Sequence, residues 1–359
     1  MKVSIKLTVF FSILLPFCGV GCQFTSLTAE EPILEKIEKT YSVEAGGSLT
    51  VVSEFGAIEI QTAEQNEVKV VVAKESKFKL VKVAREVLAD FEVAFEHDGP
   101  DVRIEGVFKH GREHWRKKLN QLKIRFLVTV PRQYNVDLDT SSGGISVADL
   151  DGKVRAKTSG GSLRFGDITG PVWGRTSGGG IELTSCGSPV DLKTSGGSIE
   201  VVDVAGDVQA QTSGGGIRFG AIQGSVWGKT SGGNIRGASC SGGADVQTSG
   251  GSIRLQSAGG SVNAKTSGGS IHASVVTQLQ SECSLRTSGG GITLTLIPDI
   301  AVDVEAETSG GRVSTDFVVE SVIQGKVPKN KLKGSINGGG PLLKLHTSGG
   351  NIRLQKTAD

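Results

Sequence analysis

From residue 133 to the C-terminus, apolar and polar residues alternate in short stretches, each bounded by glycine. Alternation puts successive side chains on opposite faces of a strand, so each stretch predicts a short strand with one buried face. The stretches recur at a fixed step. Thr-Ser-Gly-Gly begins at Thr158, Thr176, Thr194, Thr212, Thr230, Thr248 and Thr266, each 18 residues after the last. A variant begins at Thr140, and further copies follow at Thr287, Thr308 and Thr347, with a loop rich in Lys and Gly, 324–340, in the last gap. The position five after each Thr is always aliphatic, from Ile145 and Leu163 through Val313 to Ile352. A second column holds Val154, Val172, Val190, Val208, Val226 and Val262. Each repeat therefore reads as two strands of one coil. Stacked at about 4.8 Å per coil, eleven coils predict an all-β, β-solenoid rod of roughly 50 Å.

Independent hairpins do not account for a step held this regularly. The glycines of Thr-Ser-Gly-Gly are expected to supply positive φ at the turn, and the hydroxyls to bond turn backbone or adjacent coils. A rival reading makes the hydroxyls an outward array facing a regular lattice. A longer period is also present: Phe165, Trp173 and Cys186 recur 54 residues later as Phe219, Trp227 and Cys240, which is three coils. That spacing, about 14 Å, exceeds disulfide reach. Cys283 falls on the second-strand column. All three cysteines read as small buried hydrophobes.

The pattern ahead of the repeat is less regular. Residues 23–40 read as a tether. Residues 41–132 read as an N-terminal cap of irregular strands that shields the open end of the solenoid. Within it, Leu80, Ala84, Val87, Leu88 and Phe91 share one face of a helix at about 77–92. Ser53 to Ile60 resembles a degenerate repeat half. Lys109, His110, Arg112, His114, Arg116, Lys117 and Lys118 surround Trp115, either as an anion-binding patch or as a solvated loop. His110 and His114 lack an evident third ligand for a metal. The repeat solenoid is assigned 133–359.

Composition narrows the class. The 359 residues include 52 Gly, about twice the usual share, which with abundant Val, Ile, Ser and Thr suggests many short strands and tight turns. Residues 1–22 read as an export signal, with Lys2 and Lys6 ahead of the apolar run Leu7 to Phe17. Gly19-Val20-Gly21-Cys22 resembles a bacterial lipobox, with Gly19 where Leu is usual, making Cys22 the candidate lipidation site. A simple secretory signal is the alternative. Losing Lys2 and Lys6 takes the 39 basic residues to 37, against 37 acidic. A neutral chain creates no global field for nucleic acid.

Gly46-Gly47-Ser48-Leu49, Gly56-Ala57-Ile58-Glu59-Ile60, a helical insertion, a strand ending Val130-Pro131 and then the Thr-Ser-Gly-Gly-x-Ile repeats occur in that order. The order resembles the bacterial β-strand-repeat "putative adhesin" domain family, a domain of unknown function, over roughly 41–359. The resemblance implies a β-helical fold and a cell-envelope setting, and brings no catalytic residues with it.

The expected function is a non-enzymatic envelope protein, membrane-anchored through lipid at Cys22, facing the periplasm or held at the outer membrane, that presents a rigid surface for adhesion or scaffolding. Its expected partners are an envelope glycan or another envelope protein. The residues just before each Thr form a basic stripe, with Lys157, Arg175, Lys193, Lys229 and Lys265, interrupted by Gln211 and Gln247. Arg164, Arg218, Arg236 and Arg254, just after the turn, are expected to run beside it. Together these nine are the candidate anionic-ligand residues; solvation against lateral aggregation is the plainer role for them. No catalytic, cofactor or metal residues are assigned. The alternative is a polysaccharide-acting enzyme on a β-helix, for which Glu182 and Glu200, about 5 Å apart by coil spacing, are the nearest carboxylate pair. A signalling partner at the membrane is a third reading.

Overall fold

The computed structural model describes residues 33–320 and 328–357. The expected signal, with Cys22, and the first part of the tether lie outside the described residues. The chain divides into two compact units between Gly143 and Gly144. The first contains β1 (Ile33–Ser42), β2 (Ser48–Ser53), β3 (Ala57–Ala63), β4 (Glu67–Ser76), α1 (Val81–Asp90), β5 (Phe91–Asp98), β6 (Asp101–Phe108), a four-residue helix α2 (Arg112–Trp115), β7 (Leu122–Pro131) and β8 (Asn135–Thr140). One sheet of this unit runs β1-β4-β7-β3, antiparallel except between β7 and β3. The other runs β5-β6-β2-β8, antiparallel only at the β5–β6 hairpin. Between the sheets Phe91 meets Phe108 edge-on at 4.9 Å and Phe126 at 6.4 Å, with Leu49, Ile58, Ile60 and Ile104 buried around them.

Three expectations for this unit change. The tether ends by Ile33, because β1 pairs along its whole length with β4. Its Glu and Lys residues sit on a half-exposed strand, where backbone pairing rather than burial holds them. Asn135–Thr140 belongs here rather than with the repeats, since Val136 and Leu138 stack on Leu49 and Val51 of β2. The helix is shorter than the span 77–92: Leu80 is its exposed N-cap residue, and Phe91 already belongs to β5. Nothing in its sequence caps α1. Tertiary contacts hold it instead, through buried Ala84, Val87 and Leu88. The buried Lys74 of β4 also donates from Nζ to the carbonyls of Leu88 (3.1 Å) and Phe91 (2.6 Å). A cation at a helix C-terminus satisfies orphan carbonyls and complements the dipole.

The second unit is a β-solenoid. Each coil has an A-strand after its Thr-Ser-Gly-Gly turn and a B-strand before the next, and like strands stack in parallel with the 18-residue step in register. The aliphatic columns face inward as expected. The repeat Thr side chains are also buried. Thr176, Thr194 and Thr212 each donate at 2.7 Å to the last turn Gly carbonyl of the preceding coil, Gly161, Gly179 and Gly197. The same bond recurs at Thr230, Thr248, Thr266, Thr287 and Thr347. The threonines are thus an internal ladder rather than an outward lattice-facing array.

The turn glycines are needed for a different reason than φ. Among the described residues only Gly143 of the turn motifs has positive φ. In the regular turns the coils stack too closely for a side chain. A Cβ at Gly197, Gly215 or Gly233 would lie closer than 3.0 Å to the carbonyl oxygen of the coil below. The core shows a second fit between large and small. A Cβ on Gly228 would lie 3.0 Å from the Phe219 ring, and one on Gly174 2.9 Å from Leu192 of the next coil and 3.2 Å from Phe165. The 54-residue recurrence is therefore partly a packing rule, in which a Phe on the A-strand requires Gly on the B-strand of its coil.

The C-terminal coils are not stacked in chain order. The strands Leu342–Thr347 and Ile352–Lys356 lie between the Thr287 coil and the strands Val302–Thr308 and Val313–Thr315. An antiparallel strand, Lys331–Ile336, then covers the exposed side of Val302–Thr308.

Candidate binding surface

The nine basic residues fall on two sheets rather than in one stripe. Lys157, Arg175, Lys193, Gln211, Lys229, Gln247, Lys265 and Arg286 form one unbroken outward column on the B-strands. It continues to His346 and Glu307, where Glu307 pairs with Lys331 at 2.7 Å. Arg164, Arg218, Arg236 and Arg254 flank the same turns but belong to the A-strands. Their column reads Arg164, Glu182, Glu200, Arg218, Arg236, Arg254, His272. The turn carries the chain from one sheet to the other, so residues seven apart in sequence end on different faces.

Glu182 and Glu200 are neighbours, as the step requires. Each is engaged by an arginine, Glu182 by Arg164 at 3.1 Å and Glu200 by Arg218 at 3.6 Å, on an exposed face. They form a neutral ion-pair block rather than two carboxylates converging on a bond. Beyond it, Arg236 and Arg254 have no carboxylate beside them in the column. Burial, and then the nearby Arg254, push the His272 imidazole below its ordinary value.

The structure also shows a surface that the sequence had not marked as a site. On the B-strands, Trp173, Asp191, Gln209, Trp227, Asp245 and Asn263 form an outward column one coil apart. Beside it run the residues just before each B-strand, Lys153, Pro171, Pro189, Asp207, Ser225, Gly243 and Ser261. Between these columns lies a trough of about 750 Å³. Both tryptophans are half-buried. Arg155 and Arg175 lie over the Trp173 ring, 4.4 and 4.5 Å from its centroid, and Arg175 also pairs with Asp191. Asp207 accepts the Ser225 N–H at 2.7 Å and so shapes the turn. The available signal was the 54-residue recurrence of Trp. Reading it as duplication alone hid that both rings face outward in one register.

Cys186, Cys240 and Cys283 are unpaired and buried. Burial raises all three thiols, Cys283 to about 11, so they stay protonated at neutral pH. In the basic run at 109–118, Lys109 pairs with Glu92, His110 with Asp90 and Arg116 with Glu113 at 3.7 Å, and Lys118 lies over the Trp115 ring. Asp90 is buried and also accepts the Trp115 Nε1–H at 2.5 Å. Burial alone would raise its carboxyl, but the bonds from His110 and Trp115 outweigh that and hold it below the ordinary value.

The chain matches the family described as Toastrack DUF4097 over residues 47–355 and belongs to it. None of the curated proteins matches it. Among solved structures, it is similar to one named as a putative cell adhesion protein from Clostridium sporogenes, at 14% identity and TM-score 0.23, covering 91% of this chain and 100% of that one. It is also similar to one named as a putative adhesin from Bacteroides fragilis, at 11% identity and TM-score 0.27, covering 90% and 97%.

Proposed function

We propose that this protein is a non-enzymatic, exported component of the cell envelope, lipid-tethered at Cys22, whose solenoid presents fixed ladders of side chains for adhesion or scaffolding. The observation that carries this reading is the B-strand basic column. Six of its eight positions from Lys157 to Arg286 are Lys or Arg, held one coil apart by parallel pairing. A long polyanion would meet a charge at most coils, and weak contacts repeated on one rigid support add up through effective concentration. The adhesin names of the structures above accord with this role. The column is exposed, so its attraction is screened by salt.

The test uses alginate as a defined anionic polysaccharide. Reversing Lys193, Lys229 and Lys265 to Glu is expected to lower affinity at least tenfold in low salt, with binding of the parent falling steeply as salt rises. Reversing Arg236 and Arg254 measures the A-strand column separately. Alginate binding that survives the triple reversal, or no binding by the parent, would remove the basis of this reading.

A further inference from the structure

The trough on the B-strands carries different chemistry from the basic column. It runs along seven coils, from Lys153 to Ser261, a length of about 29 Å at the usual strand spacing. It holds about 750 Å³ and is open on its outer side, so a chain can lie along it without threading. Its lining carries Lys153 against Asp191, Asp207 and Asp245, and Arg155 and Arg175, over Trp173 at its edge, bring the charges to balance. The trough therefore gives no reason for a polyanion or polycation to prefer it.

We propose that this trough binds a single extended strand of an uncharged polysaccharide, lying along the coil axis with a sugar ring on Trp227. A pyranose ring has an apolar C–H face that stacks on an aromatic ring and hydroxyls at its edge that need donors and acceptors. The trough supplies both in register. Trp227 lies between Gln209 and Asp245, with Asn263 one coil further. Successive coils advance by about 4.8 Å, close to the advance of one sugar residue in an extended chain. Trp173 sits three coils before Trp227, but Arg155 and Arg175 already lie over its ring, so it walls the trough while Trp227 is the platform. An extended peptide fits less well. The floor is made of strands whose backbone groups are committed to the coils above and below, so a peptide's amides would find no sheet edge to join. This inference does not depend on the reading of the basic column.

The experiment measures binding of the full chain to soluble hydroxyethyl cellulose, xylan, pullulan and dextran by affinity electrophoresis and tryptophan fluorescence, at low and high salt. At least one polymer is expected to bind, with affinity changing less than twofold between the salts. Trp227→Ala should cost at least tenfold, and Trp173→Ala a smaller factor. The triple reversal of Lys193, Lys229 and Lys265 should leave this binding intact, which separates it from the alginate site. Both Trp variants alter outward side chains, and an unchanged circular dichroism melt confirms that each has folded. The proposal is overturned if none of the four polymers binds, or if Trp227→Ala binds as the parent does. It is equally overturned if the Trp-dependent ligand proves to be a proline-rich peptide or a second copy of the chain.

Discussion

In the unit spanning 33–143, the buried polar side chains include a lysine and an aspartate; in the unit from 144 onward, among the described residues, they are the repeat threonines alone. The irregular unit uses Lys74 to hold the end of α1 and Asp90 to hold Trp115 and His110, each bond made once. The solenoid meets the same need, a partner for every buried polar atom, with one neutral residue repeated in every coil. Charged groups give the first unit a dependence on pH that the Thr ladder lacks. Repetition gives the second a sensitivity to anything that changes the distance between coils.

The largest effect should come from that spacing. Gly215→Val places a side chain against the Gly197 carbonyl that Thr212 also needs. We expect a loss above ~5 kcal/mol or failure to fold, read as expression and melting temperature. Gly46 is the contrast: it has positive φ but open space around it, so Gly46→Ala should cost about 1 kcal/mol. Equal losses at the two sites would show that turn conformation, not coil contact, governs both.

Next is Phe219→Ala, expected to cost about 4 kcal/mol as a buried Phe is removed. Adding Gly228→Val should recover part of that loss, because the two residues share one space. Additive losses in the double-mutant cycle would refute the large-and-small rule.

The third prediction concerns pH. The Asp90 carboxyl is lowered in the folded state, so its contribution is present above the unfolded value of about 3.9 and lost as pH falls through the folded value. Hydrogen exchange between pH 7 and pH 3 should show 33–143 loosening more than the solenoid. Asp90→Asn should weaken the first unit at pH 7 by about 1–3 kcal/mol and flatten its acid response. An unchanged acid response in that variant would assign the pH dependence elsewhere.

Smaller still, Thr212→Val should cost about 1–2 kcal/mol by leaving a buried carbonyl unbonded, with Ser restoring most of it; no loss at all would remove the ladder's energetic role. The smallest effect belongs to the exposed Arg164–Glu182 pair, whose coupling in a double-mutant cycle should be about 0.5 kcal/mol.

Most of the solenoid was legible because its step is local and repeated: Ile145 to Ile352 fix the inward column, and the 18-residue spacing fixes what lies above what. Three features were hidden. The pairing of β1 was hidden because Glu35, Lys36, Glu38 and Lys39 read as solvated whether or not the backbone is paired. The role of the turn glycines was hidden because a sequence does not show how close two coils approach. The basic residues were correctly seen as outward but wrongly joined, since Lys193 and Arg218 lie on different sheets once the turn intervenes. For the trough, Trp173 and Trp227 were noticed while their shared face was not, because a duplicated block explains a repeated tryptophan without asking where it points.

The placement of Leu342–Lys356 has a consequence for how the molecule is made. A nascent chain can wind its coils in order only as far as Leu296. The piece that follows, Val302–Thr315, comes earlier in the chain than the strands it must rest on. It has to wait, or dock prematurely and be displaced when Leu342–Lys356 arrives. A product ending before Leu342 would lose an interior coil rather than its outermost one, leaving Val302–Thr308 without its bed. Leu342–Lys356 thus acts as a keystone, and Val302–Thr315 is seated only once it is in place.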